Sequence, residues 1–199
     1  MNFLAHCHLA EVTKTSVTGN LLGDFVKGPI SNLPFSNDIK VGIYLHRKID
    51  IFTDSHPYTK HWKAQLGPWR RYGGIILDML FDHQLAKRFD VVHSMPLVEF
   101  SNWAYRQVSL TDANLPARFE RTVRLMTEHD WLTSYASLPN IERALSGIDR
   151  RLSSPVNLAN SIEWYNNHQA AMEADFFDFY QELTNHTKSL AQASLIERP

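Results

Sequence analysis

The chain has 199 residues, 44% of them apolar, a formal net charge of −1 and a single cysteine. That length and apolar share suit one globular domain with a sizeable core. The near-neutral charge gives no global basis for nucleic-acid binding, and one cysteine excludes an intrachain disulfide framework.

The opening segment, Met1-Asn2-Phe3-Leu4-Ala5-His6, has neither a basic stretch nor a long apolar run, so no secretory signal is expected. No apolar stretch approaches the ~20 residues of a membrane span. A cytoplasmic protein without nucleic-acid or membrane partners is the expectation.

Helix-period patterning dominates, punctuated by Pro, Gly and Ser/Thr/Asn clusters. Residues 2–11 read as a short helix. Residues 13–28 contain Thr18-Gly19-Asn20-Leu21-Leu22-Gly23-Asp24-Phe25, a loop or short helical turn, and 29–37 read as a loop. A helix is expected over 38–54, with Leu45, Ile49 and Phe52 as its apolar stripe. Pro57 stops it, and Ser55 or His56 can cap the next, at 57–66. After Gly67-Pro68 a long helix is expected over 69–89, then helices at 96–108, 115–128, 138–151 and 155–190. The reading is an all-α, single-domain bundle over 1–199. The metal site is expected within about 1–90, and the helices at about 96–190 complete the bundle.

Two helices carry the chemistry. On 69–89, Ile75, Asp78, Asp82, Leu85 and Phe89 fall on one face, so two carboxylates share a surface with three large apolar residues. Burying them together demands a compensating cation. His83 is adjacent, so Asp78, Asp82 and His83 form a donor set for a divalent metal. A buried salt-bridge network with an arginine such as Arg47 satisfies the same demand. On 38–54, His46, Asp50 and Asp54 recur at i, i+4 and i+8, as metal donors or as a helix-surface pair. Asp24 lies in a glycine-flanked apolar segment, as a further donor or a turn residue. His6 and His8 are two apart, so at most one faces a shared site, and His6 is preferred. His56 and His61 suit capping or packing. His129-Asp130 stands apart from the other candidates and is taken as coincidence. No Walker loop, dinucleotide fingerprint or nucleophile elbow is present.

Four segments carry a resemblance: Met1-Asn2-Phe3-Leu4-Ala5-His6-Cys7-His8-Leu9-Ala10, Gly19-Asn20-Leu21-Leu22-Gly23-Asp24-Phe25-Val26-Lys27-Gly28, His46-Arg47-Lys48-Ile49-Asp50-Ile51-Phe52-Thr53-Asp54 and Leu77-Asp78-Met79-Leu80-Phe81-Asp82-His83. Together they resemble the acyl-carrier-protein phosphodiesterases, divergent relatives of the helical HD-type metal-dependent phosphohydrolases. The resemblance implies hydrolysis of the phosphodiester linking 4′-phosphopantetheine to a serine of acyl carrier protein. It implies a divalent metal, Mn²⁺ or else Mg²⁺. On that footing His46, Asp78, Asp82 and His83 are expected ligands, with Asp24 and His6 as further ones. Asp50 is expected to orient a histidine or the attacking water, and Arg47 to contact phosphate. The pair Asp82-His83 reverses the usual His-Asp order of HD enzymes. Lys27, Arg47, Lys48, Arg70, Arg71, Lys87 and Arg88 are candidates for steering an acidic carrier protein. A phosphohydrolase of nucleotides or other small phosphoesters, and a non-catalytic helical binding module, are the alternatives.

Overall fold

A computed structural model describes residues 1–109 and 114–196, with side chains through position 193. Among the described residues there are helices and no strands, so the all-α expectation is borne out. None of these helices is long and apolar enough to cross a membrane.

Helix α1 (Phe3–Val12) starts at Asn2, whose side chain accepts from the Phe3 N–H. Helix α2 (Val17–Leu22) forms where a loop or short helical turn is expected, because the Ser16 hydroxyl accepts from the Gly19 N–H and caps it. Helix α3 (Asn37–Ser55) is capped by Ser36. Helix α4 (Pro57–Gln65) takes His56 as its N-cap, with proline at the first helical position, where the missing N–H costs nothing.

The helix expected over 69–89 divides. Gly67–Tyr72 is a 3-10 turn and α5 runs over Gly73–Lys87. Helices α6 (Leu97–Ser109), α7 (Ala117–Glu128), α8 (Trp131–Ser134) and α9 (Leu138–Asp149) follow, of which α8 was not expected. Helix α10 (Ser161–Ile196) begins later than the expected residue 155. The reason is Asp149, whose carboxylate accepts the N–H groups of Val156, Asn157 and Leu158 and so holds that segment off helical geometry. Asn157 is left-handed, at φ 56°.

Helix α5 runs through the core. Every residue from Met79 to Ala86 is buried, as expected of a helix with apolar neighbours on all sides. Helices α2 and α3 cross at two glycines. A Cβ on Gly19 would stand 2.4 Å from the Ile39 carbonyl oxygen, and one on Gly42 would stand 2.7 Å from the Gly19 Cα. This close approach brings the segment after α2 onto the middle of α3.

Candidate metal centre

Three elements converge on one point. From α1, His6 is buried. From α3, His46 and Asp50 project one turn apart on the same side. From the segment after α2 comes Asp24. Nε2 of His46 lies 3.1 Å from Asp50 Oδ2 and 3.4 Å from Asp24 Oδ1, and Nε2 of His6 lies 3.3 Å from Asp50 Oδ1. The two imidazoles stack with centroids 4.1 Å apart. Donor atoms of His6, His46 and Asp50 all lie within 4.8 Å of one another.

This spacing fits a single ion. Donors about 2.1 Å from a divalent metal stand about 3 Å apart when adjacent and about 4 Å apart when opposite. The hydrogen bonding fits as well. Neither ring nitrogen of the buried His6 has a hydrogen-bond partner, despite the carboxylate nearby. An orphaned buried imidazole aimed at a carboxylate is a natural ligand.

The electrostatics are asymmetric. Burial opposes charge on His46, yet the Asp24 and Asp50 carboxylates overcome it and raise its pKa to about 9. Burial and repulsion from His46 lower His6 to about 4. Asp50 resists the upward push of burial, because His46, His6 and the Met1 ammonium hold it far below the ordinary carboxylate range. Asp24 is likewise lowered: burial works against this, and His46 prevails. Without metal these shifts favour a charged His46 between two carboxylates beside a neutral His6.

The other expected site residues have different partners. Asp78 receives the Met1 ammonium at 2.7 Å, and that ammonium also stands 3.8 Å from Asp50. Asp82 is fully buried and caps α1. Its Oδ2 accepts from the Leu4 N–H at 2.7 Å, and its Oδ1 accepts from the N–H groups of Asn2 and Ala5. The compensating positive charge demanded by the α5 carboxylates is therefore the ammonium and the positive end of α1. His83 pairs its Nδ1 with the Tyr135 carbonyl and meets the Tyr165 ring edge-on. Asp54 is exposed. His8 pairs with the Tyr180 hydroxyl at 2.8 Å. His129 is exposed after α7, and Asp130 accepts from the Tyr105 hydroxyl.

Arg47 does not pair with the α5 carboxylates. Its guanidinium donates to the carbonyls of Gly28 at 2.8 Å and Val26 at 3.2 Å. Lys87 pairs with Glu173 and Arg88 with Asp90. Gly23 is the residue whose function went unread: a Cβ there would stand 1.9 Å from the His46 ring. The available signal is the i, i+4 spacing of Gly19 on α2 and Gly23 just past its end, which puts two small residues on one side.

Two imidazoles and two carboxylates around one point, three of them on helices, make this a candidate metal centre. Residues 1–183 match the family described as acyl carrier protein phosphodiesterase. A protein named acyl carrier protein phosphodiesterase from Enterobacter sp. (strain 638) is 36% identical over 192 residues, covering 95% of this chain and 98% of that protein. One of the same name from Yersinia pestis is 37% identical over 183 residues, covering 90% and 94%, and one from Escherichia coli O157:H7 is 35% identical over 199 residues, covering 98% of each. No solved structure matches the chain. The chain belongs to the acyl carrier protein phosphodiesterase family.

Proposed function

We propose that this protein hydrolyses the phosphodiester of holo-acyl carrier protein, releasing 4′-phosphopantetheine and apo-carrier protein, with a divalent metal held by His6, Asp24, His46 and Asp50. The observation that carries this reading is the convergence of His6, His46 and Asp50 donors within 4.8 Å in a member of this family. Mixed imidazole and carboxylate donors suit Mn²⁺, with Mg²⁺ as the alternative. When bound, such an ion supplies charge neutralisation and an acidified water.

The chain's own residues do the rest. To hold an ion, His46 would release its Nε2 proton to solvent, and Asp24 and Asp50, which face that nitrogen, would join it as ligands. Asp50 spans both histidines and is placed to orient the attacking water. Neutral His6 is ready to ligate without losing a proton. Asp78 flanks the centre through the ammonium it shares with Asp50. Asp82 is left outside the ligand set because both its oxygens accept N–H groups at the start of α1, and His83 because it turns to the Tyr135 carbonyl and the Tyr165 ring, away from this cluster. Exposed Lys27, three residues beyond Asp24, suits the approach of an acidic carrier protein. A cytoplasmic setting is in keeping with the lone, fully buried Cys7, whose thiol burial pushes well up.

The test is mass spectrometry of holo-carrier protein incubated with the enzyme and Mn²⁺. Loss of the phosphopantetheine mass, abolished by chelator and by His46→Ala, is the expected result. Intact holo-carrier protein across Mn²⁺, Mg²⁺ and other divalent ions would refute the reading. Turnover of free nucleotides without turnover of carrier protein would favour the small-phosphoester alternative.

A further inference from the structure

We infer that Arg47 is a positioning residue: its guanidinium clamps the 24–28 segment to α3 and so keeps Asp24 on His46. This deepens the proposed phosphodiesterase reading and rests on it.

The geometry is that of a fork closing on two acceptors. Arg47 follows His46 on α3 and is half-buried. Nη1 donates to the Gly28 carbonyl and Nη2 to the Val26 carbonyl, at 2.8 and 3.2 Å. The two carbonyls flank Lys27, so the clamp straddles the peptide bond between Lys27 and Gly28. Gly28 sits at φ 84° with no atom within 4 Å of a built Cβ. Its glycine therefore serves the backbone turn that aims its carbonyl at Arg47, not a tight packing contact.

Asp24 needs such support. Its side chain is 59% exposed, so burial does little to hold the carboxylate 3.4 Å from His46. Backbone placement decides whether it reaches. On one side the segment is held by the Phe25 N–H, which donates to the Leu22 carbonyl at 2.9 Å, and by the Phe25 ring, edge-on to Phe119 at 5.2 Å. On the other side Arg47 holds it by two carbonyls. A lysine keeps the charge but cannot hold two carbonyls in fixed relative positions, because its ammonium is a point donor on a flexible stem.

This differs in outcome from a phosphate contact. A guanidinium on the phosphate acts on substrate directly and independently of Asp24. A clamp acts through Asp24, so the two substitutions are coupled. It also acts in the protein alone, without metal or substrate.

The experiment uses full-length Arg47→Lys, Asp24→Ala, the double variant and Gly28→Ala. Gly28→Ala disturbs the same carbonyl from the other partner and guards against a folding defect peculiar to Arg47. Metal-free protein is digested briefly with trypsin, and cleavage after Lys27 is followed by mass spectrometry. Steady-state kinetics are then measured on holo-carrier protein with Mn²⁺. Arg47→Lys is expected to keep the wild-type Tm, Gly28→Ala to lower it by a few degrees because alanine is strained at that φ, and both to speed cleavage after Lys27 about tenfold, as local opening becomes easier. They should lower kcat about tenfold with KM little changed, as a small misplacement of a catalytic group does. In the Asp24→Ala background Arg47→Lys should cost nothing further. A raised KM with unchanged kcat and unchanged cleavage overturns the clamp in favour of phosphate contact. An equal kcat loss with and without Asp24 also overturns it, as does a lowered Tm with normal cleavage and kinetics. If wild-type protein leaves holo-carrier protein intact, the phosphodiesterase reading fails, and the trypsin assay still judges the clamp by itself.

Discussion

Gly23 lies against the His46 imidazole so closely that a methyl group on its Cα would come within 1.9 Å of Cδ2 and 2.1 Å of Cγ. The backbone there is ordinary, at φ −51° and ψ −38°, so alanine fits the chain conformation. Glycine is needed for room. Gly23→Ala should therefore spare the fold and displace the ring. We expect unchanged helical circular dichroism and about a 10- to 100-fold loss of Mn²⁺ affinity or kcat/KM. Wild-type activity in a folded Gly23→Ala protein would mean that His46 is not part of the centre.

Asp82 separates a structural carboxylate from a ligand. Its removal strands the buried N–H groups of Leu4 and Ala5 and the half-buried one of Asn2 at the start of α1. Asp82→Ala should lose about 3 kcal/mol or more in urea denaturation, since each stranded donor costs about 1–3 kcal/mol. Asp82→Asn should lose less, because its amide oxygen still accepts. At temperatures where both variants are folded, Mn²⁺ affinity should match wild type. A stable Asp82→Asn that binds no Mn²⁺ would instead make this carboxylate a ligand.

The proton on His46 gives a pH signature. Its folded pKa, about 9, lies above the unfolded value of about 6.5. Stabilisation of the metal-free protein by this group is therefore complete below about pH 6.5 and is lost as pH rises through about 9. His6 has the opposite sign. Its folded pKa, about 4, lies below the unfolded value, so its contribution is present above about 6.5 and is lost as pH falls through about 4. Metal must displace the His46 proton, so Mn²⁺ affinity should rise about tenfold per pH unit between about 6.5 and 9. Calorimetry in buffers of different ionisation enthalpy should count about one proton released. Release of no proton at pH 7 would contradict a ligating His46.

Metal and stability should be linked. Mn²⁺ at about a hundredfold excess over its Kd should stabilise the fold by about 2.7 kcal/mol, read as a rise in Tm that chelator reverses. His46→Ala and Asp50→Ala should abolish the rise. A Tm indifferent to every divalent ion would point to the imidazolium–carboxylate network as the resting and final state of this cluster.

Helical periodicity, caps and breakers make the fold class readable from the residues alone. Ser36 before α3 and Pro57 at the start of α4 act locally, and local chemistry is what a sequence displays. The pairing of His46 with Asp50 was legible for the same reason, since i, i+4 neighbours share a helix side in any fold. The later start of α10 depended on a side chain outside that helix. Asp149 sets the start of α10 by holding the N–H groups of Val156, Asn157 and Leu158 in a segment that includes the left-handed Asn157.

What only tertiary structure decided is how residues distant in sequence divide their partners. Reasoning from faces treats a helix as having one buried side, but α5 is buried from Met79 to Ala86 on every side. Its polar residues therefore meet different neighbours: Asp82 caps α1, His83 turns to Tyr135 and Asp78 takes the Met1 ammonium. The need for positive charge near those carboxylates followed from desolvation and was legible in the sequence. That the chain itself would supply it was not, because the partners of Asp82 lie 77–80 positions away. Likewise, helical spacing, local context and the family resemblance placed His6, Asp24, His46 and Asp50 among the candidates. The Gly19–Gly42 crossing, which lets α2 and α3 approach closely enough for Asp24 to reach His46, is a property of the packed structure.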